Sequence, residues 1–173
     1  MKITNVVATI SLKGPLDLEK LQTGLPGSEK GKSHWLKYRL QPENKYVAFY
    51  KSGKFLLTGA DIIENSDSLI ERIIEKIHEA GLPAELKKFD ICNIVCHDKI
   101  QINSSLEAIY EQFRSGEEVD CEYEPEQFPG MVCKTRGVTI LLFSTGSLVC
   151  TGAKTVSEAE EAIYNFSNLL SSL

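Results

Sequence analysis

Three residue sets in this chain could do chemistry. Cys92, Cys96 and His97 cluster, and Cys121, Cys133 and Cys150 follow, with His34 and His78 elsewhere. A zinc centre calls for Cys-x-x-Cys pairs, and none occurs, so no metal is expected. A thiolate nucleophile would need a base beside it, and nothing in the spacing places His97 against Cys121. No Gly-rich phosphate loop is present. These absences argue against an enzyme and against a bound cofactor.

The second set is aromatic and apolar. Phe128 stands in a Phe-Pro-Gly corner, and Phe143 ends the run Val138 to Phe143, which Ser144 to Ser147 joins to a second run, Leu148 to Thr151. Two β-prone runs around a Gly-containing connection read as a hairpin. The third set is acidic: Glu122, Glu124 and Glu126 flank Tyr123 and Pro125. Such runs are usually solvated loops.

The elements that must carry these sets occur twice. Tyr50 to Ala60 matches Phe143 to Ala153 at an offset of 93, and Asn5-Val6-Val7 matches Asn93-Ile94-Val95 at 88. Leu18 and Leu21 match Leu106 and Ile109 at 88, while Leu69, Ile70, Ile73 and Ile77 match Ala162, Ile163, Phe166 and Leu170 at 93. Fixed offsets at both ends of a unit argue a tandem duplication. The expected halves are residues 1–86 and 87–173.

Alternation and turn residues predict strands at Lys2–Leu12, Trp35–Leu40, Lys45–Tyr50 and Phe55–Ala60. The second half repeats them at Phe89–Val95, Met131–Thr135, Val138–Phe143 and Leu148–Ala153. Helical spacing predicts Leu16–Leu21, Asn65–Ala80 capped by Asn65, a helix capped by Asn103 or Ser104 and reaching Phe113, and Ser157–Leu170 capped by Ser157. Residues 23–33 and 115–126 read as loops. The class is α+β. Amphipathic helices can cover one face of each antiparallel sheet, and nothing covers the other. Large uncovered apolar faces mark binding sites. Strand parity places Cys92 and Cys96 on the helix side, opposite Asn93 and Val95.

Composition narrows the class further. At 42% hydrophobic and 25% charged, 173 residues suit a globular protein with a full core. No run is long enough to span a membrane, and the start lacks the pattern of a secretory signal. An odd count of five cysteines fits a reducing compartment rather than a disulfide framework. The expected location is cytoplasmic. The net charge of −5 is uneven: residues 1–88 carry +3 and residues 89–173 carry −8. That balance opposes nucleic-acid binding by bulk charge and leaves binding through one face open.

The Ile-x-Asn-[Ile/Val]-Val pattern, the run EYEPEQFPG, the LLFSTG hairpin and the paired TGA sequences resemble the TATA-box-binding protein family, over nearly the whole chain. The acidic charge and short N-terminus look more like its archaeal branch. The resemblance implies a saddle of two pseudo-symmetric repeats, a curved antiparallel sheet with amphipathic helices on the convex face. That family is the standing example of a minor-groove binder that kinks DNA with inserted side chains.

Its implied DNA contacts are Asn5 and Asn93 at the centre, Val7 and Val95 beside them, and Leu56, Thr58, Leu141, Val149 and Thr151 further out. Phe128 and Phe143 would be wedges. In the first repeat Ser33 falls where one wedge should stand, Trp35 falls at a glycine position, and Tyr50 is the second wedge; Trp35 or Phe49 could compensate. Arg39, Lys54 and Lys134 would meet phosphates, and Ser147 stands where the family has a Lys. The kink should then be full at the second repeat and weak at the first. Glu124 and Glu126 resemble the stirrup that binds transcription factor B, and through it RNA polymerase. The alternative is a divergent paralogue that keeps the stirrup, binds DNA weakly and acts as a competing regulatory factor.

Overall fold

A computed structural model describes residues 1–32, 34–116 and 119–172. Ser33 therefore lies outside the described residues, as do Glu117 and Glu118 of the acidic loop. The fold is α+β, with antiparallel strands and amphipathic helices, and divides into two compact units, residues 5–92 and residues 1–4 with 93–173.

The first unit holds β1 (Lys2–Leu12), α1 (Leu18–Gly24), β2 (Glu29–Lys30), β3 (Trp35–Leu40), β4 (Lys45–Tyr50), β5 (Lys54–Gly59) and α2 (Ile62–Glu79). Its strand order is β2-β3-β4-β5-β1, antiparallel throughout. Alternation decides which side chains enter the core. Val6, Ala8, Ile10 and Leu12 of β1 are buried, whereas Asn5, Val7, Thr9 and Ser11 are half-buried on the other face. Val47, Phe49, Phe55 and Leu57 complete the covered face, with Phe49 and Phe55 ring centroids 5.6 Å apart. Leu69, Ile70, Ile73 and Ile77 of α2 are buried with them.

The second unit holds β6 (Leu86–Lys99, entering from the first), α3 (Leu106–Phe113), β7 (Asp120–Glu122), β8 (Met131–Thr135), β9 (Val138–Leu142), β10 (Ser147–Ala153) and α4 (Val156–Ser171). The order β6-β10-β9-β8-β7 repeats the first unit's pairing. Arg136 and Gly137, at φ of 45° and 86°, close the β8–β9 hairpin in two residues. Positive φ at both positions matches the right-handed twist of the strands. Gly53 and Gly146 occupy matching turns, and a Cβ at either would strike a carbonyl oxygen, Gly14's or Ile100's. Only glycine fits both turns.

Helix starts differ from expectation at all four helices. Asp17 lies outside α1 as its cap, its carboxylate accepting from the Glu19 and Lys20 amides at 3.1 and 3.0 Å. α2 begins at Ile62 rather than Asn65, because burying Ile62 extends the helix by nearly a turn. Asn65 donates instead to Asp61, whose carboxylate also pairs with Lys45. That Lys45 hydrogen bond is the main influence holding the Asp61 carboxyl below its ordinary range. Ser105, not Asn103 or Ser104, caps α3. Thr155, not Ser157, caps α4 in a reciprocal capping box with Glu158.

Two further corrections concern cysteines. Residues 120–122 form a strand inside the expected loop, and its register sets Cys121 opposite Cys133 with Cα atoms 4.2 Å apart. The pair forms a disulfide, which the reading of the five cysteines as suiting a reducing compartment rather than a disulfide framework does not anticipate. Cys92 is exposed, with its sulfur 3.0 Å from the Thr9 hydroxyl, while Cys96 is buried as parity predicts.

Candidate nucleic-acid interface

In each unit the face away from the helices is a strip of half-buried side chains with exposed charged ones among them. In the first, β1 presents Asn5, Val7, Thr9 and Ser11, and β5 presents Thr58, Leu56 and Lys54 directly across from the last three. Tyr46 and Ala48 of β4 stand beside Thr58 and Leu56. On β3, Trp35, Lys37 and Arg39 oppose Tyr50, Ala48 and Tyr46. The Arg39 guanidinium lies 5.2 Å over the Tyr46 ring and donates to the Asn44 carbonyl at 3.3 Å. Lys37 and Lys54 make no ion pair among the described residues.

The second unit shows the same layout with different chemistry. Asn93 and Val95 on β6 are half-buried, and His97 and Lys99 beyond them are exposed on the same face. Val149 and Thr151 of β10 oppose Leu141 and Thr139 of β9. Val132 and Lys134 of β8 follow, and then the acidic β7, with Asp120 opposite Lys134. The Lys134 ammonium sits 3.4 Å from the Glu122 carboxylate, so this cation is already engaged.

Asn93 has the most defined geometry. The β10 register shifts between Cys150 and Ala153, and Gly152 sits in that irregularity. Its freed N–H donates to Asn93 Oδ1 at 2.7 Å, and the Thr151 hydroxyl lies 3.2 Å from Nδ2. A bulge re-aims groups in this way. With Oδ1 accepting from Gly152 and Nδ2 donating to Thr151, the amide is held in one orientation and keeps one N–H without a partner among the described residues. Asn5 has no such hydrogen bond among the described residues.

The aromatic residues form one pair per unit. Phe128 is 38% exposed and Phe143 half-buried, with ring centroids 5.8 Å apart and planes at 66°. Gly130 makes room for them: a Cβ there would stand 2.8 Å from Phe128 Cε1 and 3.0 Å from Phe143 Cε1. In the first unit Trp35 and Tyr50 are cross-strand partners with centroids 6.5 Å apart. Phe49 is fully buried and cannot compensate for a missing wedge. The Trp35 indole N–H is buried without a partner among the described residues.

The acidic stretch is held at both ends. The Tyr123 hydroxyl donates to Glu107 of α3 at 3.1 Å, and the Phe128 amide donates to the Glu124 carbonyl at 3.0 Å. Glu124 and Glu126 are exposed between these ties.

Lys37, His97 and Lys99 escaped the sequence reading. The signal was available, since the 88 offset puts His97 and Lys99 on the strand positions of Thr9 and Ser11. No cluster of three or more His, Cys, Asp or Glu able to hold a metal occurs among the described residues. Likewise, no helix among them is long and apolar enough to cross a membrane.

Two repeated antiparallel units, each with one helix-covered and one open apolar face, define a binding protein whose working surface is a sheet. The family model for "Transcription factor TFIID (or TATA-binding protein, TBP)" matches residues 1–80 and 88–173, and the chain belongs to that family. Its members are DNA-binding transcription factors rather than enzymes. The TATA-box-binding protein of Methanopyrus kandleri is 37% identical over 94% of this chain and 91% of its own length. That of Picrophilus torridus is 38% identical over 93% and 89%. The solved structure of Methanococcus jannaschii TBP matches with a TM-score of 0.86 at 28% identity, covering 99% of this chain and 98% of that one.

Proposed function

We propose that this chain is a general transcription initiation factor that binds the minor groove of an A·T-rich TATA box through the open faces of its two repeats, residues 1–86 and 87–173. The orientation of Asn93 carries the reading. Its oxygen accepts from Gly152 N–H and its Nδ2 donates to the Thr151 hydroxyl, which fixes the amide and leaves one N–H without a partner among the described residues. A·T pairs present only acceptors in the minor groove, so a fixed donor among Val95, Val149 and Leu141 suits that surface. Asn5 with Val7, Leu56 and Thr58 makes the corresponding contact in the first repeat. Phe128 and Phe143 wedge a base step and kink the duplex. Arg39, Lys54 and Lys134 meet phosphates, with Tyr50 at the first-repeat end. Glu124 and Glu126 pair with basic residues of transcription factor B, which brings RNA polymerase.

The test is a fluorescence anisotropy titration against TATA and scrambled duplexes at two salt concentrations. A clear TATA preference at both is expected, and equal affinities would refute the reading. One observation favours the alternative of a competing regulatory paralogue with weak DNA binding. Lys134 is neutralised by Glu122, and Asp120 lies opposite it. Under that reading the same titration returns weak binding at both salts with no sequence preference.

A further inference from the structure

The second repeat lacks the lysine that the first carries on β5, since Lys54 corresponds to Ser147 at the 93 offset. Read along the chain this is a lost cation. Read across the strands it is an exchange. In the first unit Lys54 of β5 is paired in register with Ser11 of β1. In the second, Ser147 of β10 is paired in register with Lys99 of β6. Ser11 and Lys99 correspond at the 88 offset, so the same cross-strand pair holds one serine and one lysine in both units, with the two strands' roles reversed.

From this exchange we infer that Lys99 is a phosphate-binding cation of the second repeat, beside Lys134, and takes over the contact that Ser147 cannot make. The inference rests on the DNA-binding reading above. Cross-strand partners stand about 4.5–5.5 Å apart, a gap that a flexible four-carbon lysine stem spans, so the ammonium reaches the same point from either strand. Alternation places Lys99 on the open face with Asn93, Val95 and His97, and both Lys99 and Lys54 are exposed. The neighbouring acid does not claim it: Asp98 points to the other face and pairs with the Met1 amino group at 3.1 Å. Lys99 makes no ion pair among the described residues, in contrast to Lys134 on the same face, which Glu122 holds. A solvated, unpaired ammonium on a groove-facing strip releases a counterion when it meets a phosphate.

The experiment measures the dependence of DNA affinity on salt for the full chain and three variants: Lys99→Ser, Lys54→Ser, and the exchange Lys99→Ser/Ser147→Lys. Each single variant should weaken binding to TATA and scrambled duplexes alike and reduce the log–log salt slope by about 1. The exchange variant should restore the parent slope and affinity. Thermal melting should be unchanged in all three, since the side chains are exposed. If Lys99→Ser keeps the parent slope while Lys54→Ser lowers it, the inference fails and the DNA-binding reading stands. If the exchange variant stays as weak as Lys99→Ser, the shared position fails as well. If the parent shows no salt-dependent binding, the reading beneath the inference fails and takes the inference with it.

Discussion

Replacing Phe128 and Phe143 with Ala, singly and together, separates a wedge from a core. The partial exposure of both rings, with 38% of Phe128 open to solvent, sets the expected cost. A fully buried Phe cut to Ala costs about 3–5 kcal/mol. Phe128 is about three-fifths buried and Phe143 more so, and part of that burial is against the other ring. We therefore expect each single change to cost about 2–3 kcal/mol, of which about 0.5–1.5 is the edge-to-face pair itself. Because that pair energy is lost in either single variant, the double variant should cost less than the two singles summed. For a chain of this size 1 kcal/mol lowers Tm by about 2–4 °C. Phe166→Ala is the comparison, since Phe166 is 1% exposed against Phe113 and should show the full core cost. The assays are thermal melting and energy transfer between dyes at the two ends of a TATA duplex. The double variant should stay folded at 25 °C and bind without the parent's end-to-end shortening. A melting loss equal to that of Phe166→Ala, or an undiminished bend, would refute the reasoning.

Two other outcomes follow from the geometry. Asn93→Asp keeps the acceptor for Gly152 N–H but faces acceptors with an acceptor; TATA affinity should fall by about 1–3 kcal/mol in the anisotropy titration while melting hardly moves. In the folded protein iodoacetamide should modify Cys92, which is exposed, and spare Cys96 and Cys150 until denaturant is added. Burial pushes the Cys150 thiol up to about 12, so it stays protonated and unreactive near neutral pH, and mass spectrometry of the digest reads the difference.

The two repeats were legible because their offsets carry both the apolar alternation and the turn glycines, and strand alternation then located the open-face residues of β1, β5, β6, β9 and β10. What was not legible has physical causes. Polar residues crowd every helix start, and tertiary burial of Ile62, not side-chain chemistry, decides where α2 begins. The strand β7 is three residues long and mostly acidic, so no pattern announces it, and without it nothing sets Cys121 against Cys133. Trp35 reads as a damaged glycine position until the register shows it facing Tyr50. Lys99 is hidden for a related reason, since its role lies in a pairing between strands and not in a spacing along one.

Under the proposed function, the hydrogen bond from Phe128 N–H to the Glu124 carbonyl would give one turn of backbone two clients. A ring inserted between base pairs and a carboxylate gripped by a basic partner would hold the same five residues from opposite ends. Thermodynamic linkage is reciprocal, so whatever factor DNA would add to the affinity for such a partner, that partner would return to the affinity for DNA. Loosening the turn at Pro125 would then uncouple the two ligands while leaving each able to bind alone.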